Sequence, residues 1–144
     1  MAKSGTFTEA EPAELVDFLE SKLLKKGFAG KLFSRYDGVY VTARGGEKGG
    51  AAVRIGKPGL LSRDVGVLVS PPSNADRGDV ARHLEAAGVH GPEVRKSFGQ
   101  TIYDFDPATP APELVTFALA ALRALGSTPA DGRWQWEASQ PAGE

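Results

Sequence analysis

Cysteine is absent from the 144 residues, so neither a disulfide nor thiol chemistry is open to this chain. A cysteine-free composition suits the cytoplasm. Long apolar runs are also missing: no stretch approaches the roughly 20 residues that a membrane-spanning helix needs. The opening MAKSGTFTEAEP has no apolar segment behind its Lys and does not read as a secretory signal. No nucleophile is framed, because neither G-x-S-x-G nor Ser-x-x-Lys occurs. Histidine is limited to His83 and His90, seven residues apart and without a carboxylate or second His at metal-ligand spacing. Asp104 and Asp106 share a strand face and could hold a cation, but solvated carboxylates at a hairpin end are the commoner case. The expectation is therefore a protein without catalytic residues, bound metal or cofactor.

The residues present point to a single soluble domain. Hydrophobic residues make up 41% and charged residues 24%, ordinary for a globular protein, and the length suffices for a real core. The stretch 31–70 organises the rest. KLFSRYDGVYVTARG, GAAVRIG and DVGVLVS alternate apolar and polar residues as half-buried strands do. Asp37-Gly38 predicts a two-residue hairpin turn pairing Tyr36 with Val39. One face then carries Val39, Val41, Val53 and Ile55. The other carries Phe33, Arg35, Tyr40, Arg44 and Arg54, an antiparallel sheet with one covered and one wetter face.

Helices flank this sheet in the sequence. Leu15, Val16, Leu19, Leu23 and Leu24 recur at helical spacing over 12–26, with Phe18 on the flank of the stripe. Thr8 and Glu11 are spaced as a capping box. A short helix is predicted over 79–87 and ended by Gly88. A second hairpin follows with Gly99-Gln100 at its turn, then an apolar helix capped by Thr109 and ended by Gly126. Residues 1–126 are expected to form one α+β domain, with 1–8 disordered and 127–144 a tail. The domain has an antiparallel sheet of about five strands in the order α-β-β-β-α-β-β-α. Trp134 and Trp136 lie two apart in that tail. They read as a short edge strand laying both rings on the domain, or as an aromatic patch for a partner.

Charge is unevenly spread. Between Lys22 and Arg63 ten basic residues face two acids, a net +8 within a chain of net charge −1. Such a split is either neutralised within the fold or across a dimer, or it presents a basic surface to an anionic partner. The loop Gly45-Gly46-Glu47-Lys48-Gly49-Gly50 is glycine-rich, but a strand follows it where a phosphate-binding loop needs Ser/Thr and a helix, so it reads as a hairpin loop. Helix and strand order also match many restriction-type nucleases. That class needs an acid where Val53-Arg54-Ile55 and Val65-Gly66-Val67 stand, and none is there.

The order of elements, carried by ELVDFLESKLLKKGF, YDGVYVTA, GAAVRIG, DVGVLVSPP, DVARHLEAAGV and APELVTFALAALRAL, resembles the type III secretion chaperone-like fold and the related YbjN-type proteins over about residues 13–126. The resemblance implies a non-catalytic homodimer that binds segments of another protein on apolar grooves, with the 79–87 helix or its neighbouring strand near the two-fold. The basic 22–63 segment departs from it, since secretion chaperones tend to be acidic. Candidate partner-binding residues are Phe18, Leu23, Phe33, Arg35, Tyr40, Arg44, Arg54, Trp134 and Trp136. The competing expectation is nucleic-acid binding by the basic-aromatic face of Phe33, Arg35, Tyr40, Arg44 and Arg54.

Overall fold

The computed structural model describes residues 4–24, 36–43, 50–56, 64–72, 80–97 and 100–139. Among these residues seven strands form one sheet: β1 (Ser4–Thr8), β2 (Gly38–Ala43), β3 (Ala52–Gly56), β4 (Val65–Ser70), β5 (Glu93–Ser97), β6 (Gln100–Phe105) and β7 (Arg133–Ser139). Their spatial order is β1-β7-β2-β3-β4-β6-β5, and every neighbouring pair is antiparallel. Among the described residues three helices accompany them: α1 (Ala13–Phe18), which runs directly into a π-turn (Leu19–Leu23), α2 (Val80–Ala86) and α3 (Ala111–Ala124).

The alternation in β2, β3 and β4 decides which face is covered. Val39, Val41, Val53, Ile55, Val65, Val67 and Val69 are all buried, together with Trp134, Trp136 and Ala138 of β7 and Tyr103 of β6. α3 lies across β2, β3 and β4. Its small residues Ala111, Ala118 and Ala121 are buried with Leu114, Leu119 and Leu122, which brings the helix backbone close to the sheet. α3 ends at Gly126, whose φ of 81° suits a residue without Cβ. α2 packs on α3, and its His83 Nε2 lies 2.7 Å from the carbonyl oxygen of Ala124 at the end of α3. Arg123 ties the other side together. Its guanidinium sits 5.7 Å from the Trp134 ring centre and pairs with Glu9.

Several expectations are corrected. The sheet has seven strands rather than about five, and the element order begins and ends with a strand. The segment expected as a disordered N-terminus contains β1, anchored by buried Phe7. The segment expected as a tail supplies β7, which is an interior strand between β1 and β2 and not an edge. Its R-W-Q-W-E-A-S alternation puts Trp134, Trp136 and Ala138 inward and Arg133, Gln135 and Glu137 outward. The Asp37-Gly38 hairpin does not form, because both edges of β2 are already taken, by β3 and β7. Asp37 instead donates its backbone N–H to the Ser139 carbonyl at 3.0 Å. The expected strand before Asp37 falls at 31–35, outside the described residues, as does most of the glycine-rich loop.

Smaller differences have local causes. Ser97 pairs with Gln100, so the β5–β6 connection falls one residue before the expected Gly99-Gln100 turn. The register moves by two residues, which keeps Val94 and Tyr103 on one face. Thr109 makes no side-chain cap to α3. Pro110 holds the N-cap position, and its carbonyl accepts from Glu113 and Leu114. Thr8 does accept the Glu11 N–H, at 3.2 Å, before α1. No helix among the described residues is long and apolar enough to cross a membrane.

Candidate interaction surface on the open sheet face

Residues directly opposite one another in a sheet share a face, so the register defines the side turned away from the buried valines. One rung of that side runs across all seven strands: Ser4, Glu137, Tyr40, Arg54, Leu68, Ile102 and Arg95. Tyr40 keeps 43% of its surface exposed near the centre of the rung, and Leu68 and Ile102 are half-buried on the far side of Arg54. Ala52 and Thr42 border the same strip. Charged groups close both ends. Glu137 is exposed at one, and at the other Arg95 donates from Nε to Asp104 Oδ2 at 2.7 Å.

Arg54 lies flat across this face rather than projecting from it. Its Nη2 contacts Asp37 Oδ1 at 3.2 Å and donates to the Asp37 carbonyl at 3.1 Å. Ser139 donates its hydroxyl to Asp37 Oδ1 at 2.6 Å, which holds the carboxylate in place. The guanidinium is also 5.8 Å from the Tyr40 ring centre. It fits because two neighbours have no side chain. A Cβ on Gly38 would stand 2.6 Å from Arg54 Cζ, and one on Gly56 would stand 3.2 Å from Nη1. The lock therefore joins β2, β3 and the end of β7 through one half-buried cation.

This geometry yields a stability prediction. Gly38→Ala displaces the guanidinium from Asp37 and should cost about 1–2 kcal/mol, the worth of a charge-assisted hydrogen bond, or a fall in Tm of roughly 3–8 °C. In an Arg54→Ala background the same change should cost under about 0.5 kcal/mol, so thermal unfolding of the double-mutant cycle checks the lock.

The nine residues selected from the sequence separate into three groups. Phe18 (8% exposed), Leu23 (2%), Trp134 (2%) and Trp136 (2%) belong to the core, a correction to their expected place on a binding surface. The Phe18 ring centre is 4.9 Å from that of Trp136 and 5.0 Å from that of Tyr36. The helix continues into the π-turn, where Leu24 donates to Leu19, five residues back. Phe18 and Leu23 lie with Leu15 and Leu19 on one inward-facing stripe at helical spacing. Tyr40 and Arg54 are brought together on the open face. Phe33, Arg35 and Arg44 lie outside the described residues. Leu68 and Ile102 were missed as candidates, although their phase in the alternation, opposite to Val67 and Val69 and level with Arg54, was available to find them.

Other polar groups have structural partners. Asp104 is held by Arg95, and Asp106 accepts the Ala108 N–H at 2.7 Å. Burial lifts the Tyr103 phenol above its ordinary pKa, with the nearby Glu85 carboxylate adding to the effect, so it is neutral at ordinary pH. A cleft of about 440 Å³ lies between Glu20 and Leu24 and the 107–112 segment, away from the open face and lined by a single carboxylate. Among the described residues no three His, Cys, Asp or Glu side chains gather where a metal ion could be held. No family model, no curated protein and no solved structure matches the chain.

Proposed function

We propose that this chain is a non-enzymatic, cytoplasmic protein-binding module whose partner docks on the open sheet face around Tyr40, Leu68 and Ile102. One observation carries the reading. The helices pack against one side of the sheet, and among the described residues the other side presents an exposed aromatic ring, Tyr40, and an apolar pair, Leu68 and Ile102, separated by Arg54. A large, rigid, amphipathic tyrosine set among charged groups, with an apolar pair on the same face, is a composition that protein interfaces favour. The resemblance to type III secretion chaperone-like and YbjN-type proteins belongs to the same proposal, since it implies peptide binding without catalysis.

Nucleic-acid binding is less favoured at this face. Its described cation nearest Tyr40, Arg54, is engaged with Asp37, while Glu137 and Asp104 add negative charge to the same face. A phosphate-binding surface needs cations free to replace counterions.

The test is capture of partners by the tagged chain, with and without nuclease, beside the Leu68→Asp variant. Leu68 is half-buried at the surface, so the variant should stay folded with a stability change within about 1 kcal/mol. The expected result is a discrete protein that survives nuclease treatment and is lost with Leu68→Asp. Recovery that depends on nucleic acid, or that Leu68→Asp leaves intact, would contradict the reading.

A further inference from the structure

Among the described residues the strand order leaves two edges, β1 and β5, and they are built differently. β5 carries Glu93, Arg95 and Lys96, all exposed. Charges of this kind are how natural sheets keep an edge from pairing with another chain. β1 reads S-G-T-F-T and has no charge and no proline. It runs in unbroken register with β7 from Ser4↔Glu137 to Thr8↔Arg133, so no bulge turns it away. Its outer side has no strand partner among the described residues.

We propose that β1 is a dimerisation edge, which pairs antiparallel with β1 of a second copy about a two-fold axis at Thr6 and so joins two sheets into one. The strand is its own complement in that register. Ser4 meets Thr8, Thr6 meets Thr6, and Phe7 meets Gly5. Ser4, Thr6 and Thr8 share the open face, where a line of hydroxyls can exchange hydrogen bonds across the axis. Gly5 and Phe7 share the covered face, where Phe7 is buried in its own core and the space over Gly5 is taken by Glu14 and Trp136, so no side chain of β1 on that face bars the approach of a second strand. The first charge after the strand, Glu9, is paired with Arg123. The edge carries no charge that would select a foreign sequence, so a second copy is the occupant that its symmetry favours. This dimer uses the sheet edge and leaves both the open face and α2 free, unlike the two-fold near the 79–87 helix that the family resemblance implies.

The absence of cysteine makes the test direct. Thr6→Cys places two thiols on the axis, at the separation that a disulfide bridges, whereas Ser4→Cys on the same strand and face lies well away from its own copy. Under mild oxidation Thr6→Cys should form covalent dimers roughly ten-fold faster than Ser4→Cys or more. Sedimentation of the unaltered protein should show a monomer–dimer equilibrium near about 100 µM, as suits a small interface, and Thr6→Lys should be monomeric there. Equal cross-linking of the two cysteine variants, a monomer at every concentration, or a dimer that persists in Thr6→Lys would each overturn the proposal.

Discussion

A chain ended at Ser127 is expected not to fold, and Trp136→Ala is expected to cost about 3–5 kcal/mol, most of the stability of a small domain. β7 is an interior strand that supplies one edge of the ladder to β1 and the other to β2, so its removal strips hydrogen-bond partners from two strands at once. It also removes Trp134, Trp136 and Ala138 from the core. Trp136 touches Phe18 of α1, and Trp134 lies beneath Arg123 of α3, so the strand joins both helices to the sheet. Trp136→Phe separates the ring from its N–H. The indole Nε1 is buried without a hydrogen-bond partner among the described residues, so the phenyl ring gives up little beyond volume. Its expected cost is about 1–2 kcal/mol. Because the only two tryptophans are both buried on β7, denaturant unfolding followed by their fluorescence reads the effect directly.

The second large effect is expected in α3. Leu122 is fully buried where the helix crosses the sheet, and Leu122→Ala should cost about 3–5 kcal/mol from lost transfer energy and the cavity left behind. The adjacent Ala118 is equally buried, and there the change runs the other way. Ala118→Leu would push the helix off β2, β3 and β4 and should cost about 1–3 kcal/mol by overpacking. Thr116 on the solvent side, whose hydroxyl donates to the Pro112 carbonyl, should tolerate alanine within about 0.5 kcal/mol. Calorimetric Tm values for the three variants check this ordering.

The sequence made the covered face readable and the sheet's borders unreadable, for physical reasons. Val39 to Val41, Val53 to Ile55 and Val65 to Val69 alternate over enough residues that a period of two stands out, and their inward face is the observed one. β1 offers one buried side chain, Phe7, in five residues, too few for a period to show. β7 does alternate, but its place between β1 and β2 depends on pairing across roughly a hundred residues, which no local pattern encodes. Asp37-Gly38 is a strong local turn signal that long-range pairing overrides. Gly38 is needed because the Arg54 guanidinium lies where its Cβ would be. The same cause hid part of the candidate site. Arg54 reads as a free cation on a basic face until the fold sets Asp37 against it. Phe18 reads as the flank of the helical stripe until the fold sets Tyr36 and Trp136 against it. Tyr40, by contrast, is where its alternation placed it.

The claim that the Tyr40–Leu68–Ile102 face is open and used is tested most directly by thiol accessibility in this cysteine-free chain. Leu68→Cys and Val67→Cys put one thiol on each side of β4. The account predicts that in the free protein Leu68→Cys reacts with a small alkylating reagent at least about ten-fold faster than Val67→Cys, which must wait for local opening. It further predicts that Leu68→Cys is protected once the captured partner is bound. Equal and slow reaction of the two thiols in the free protein, or a Leu68→Cys rate that the partner leaves unchanged, would contradict it.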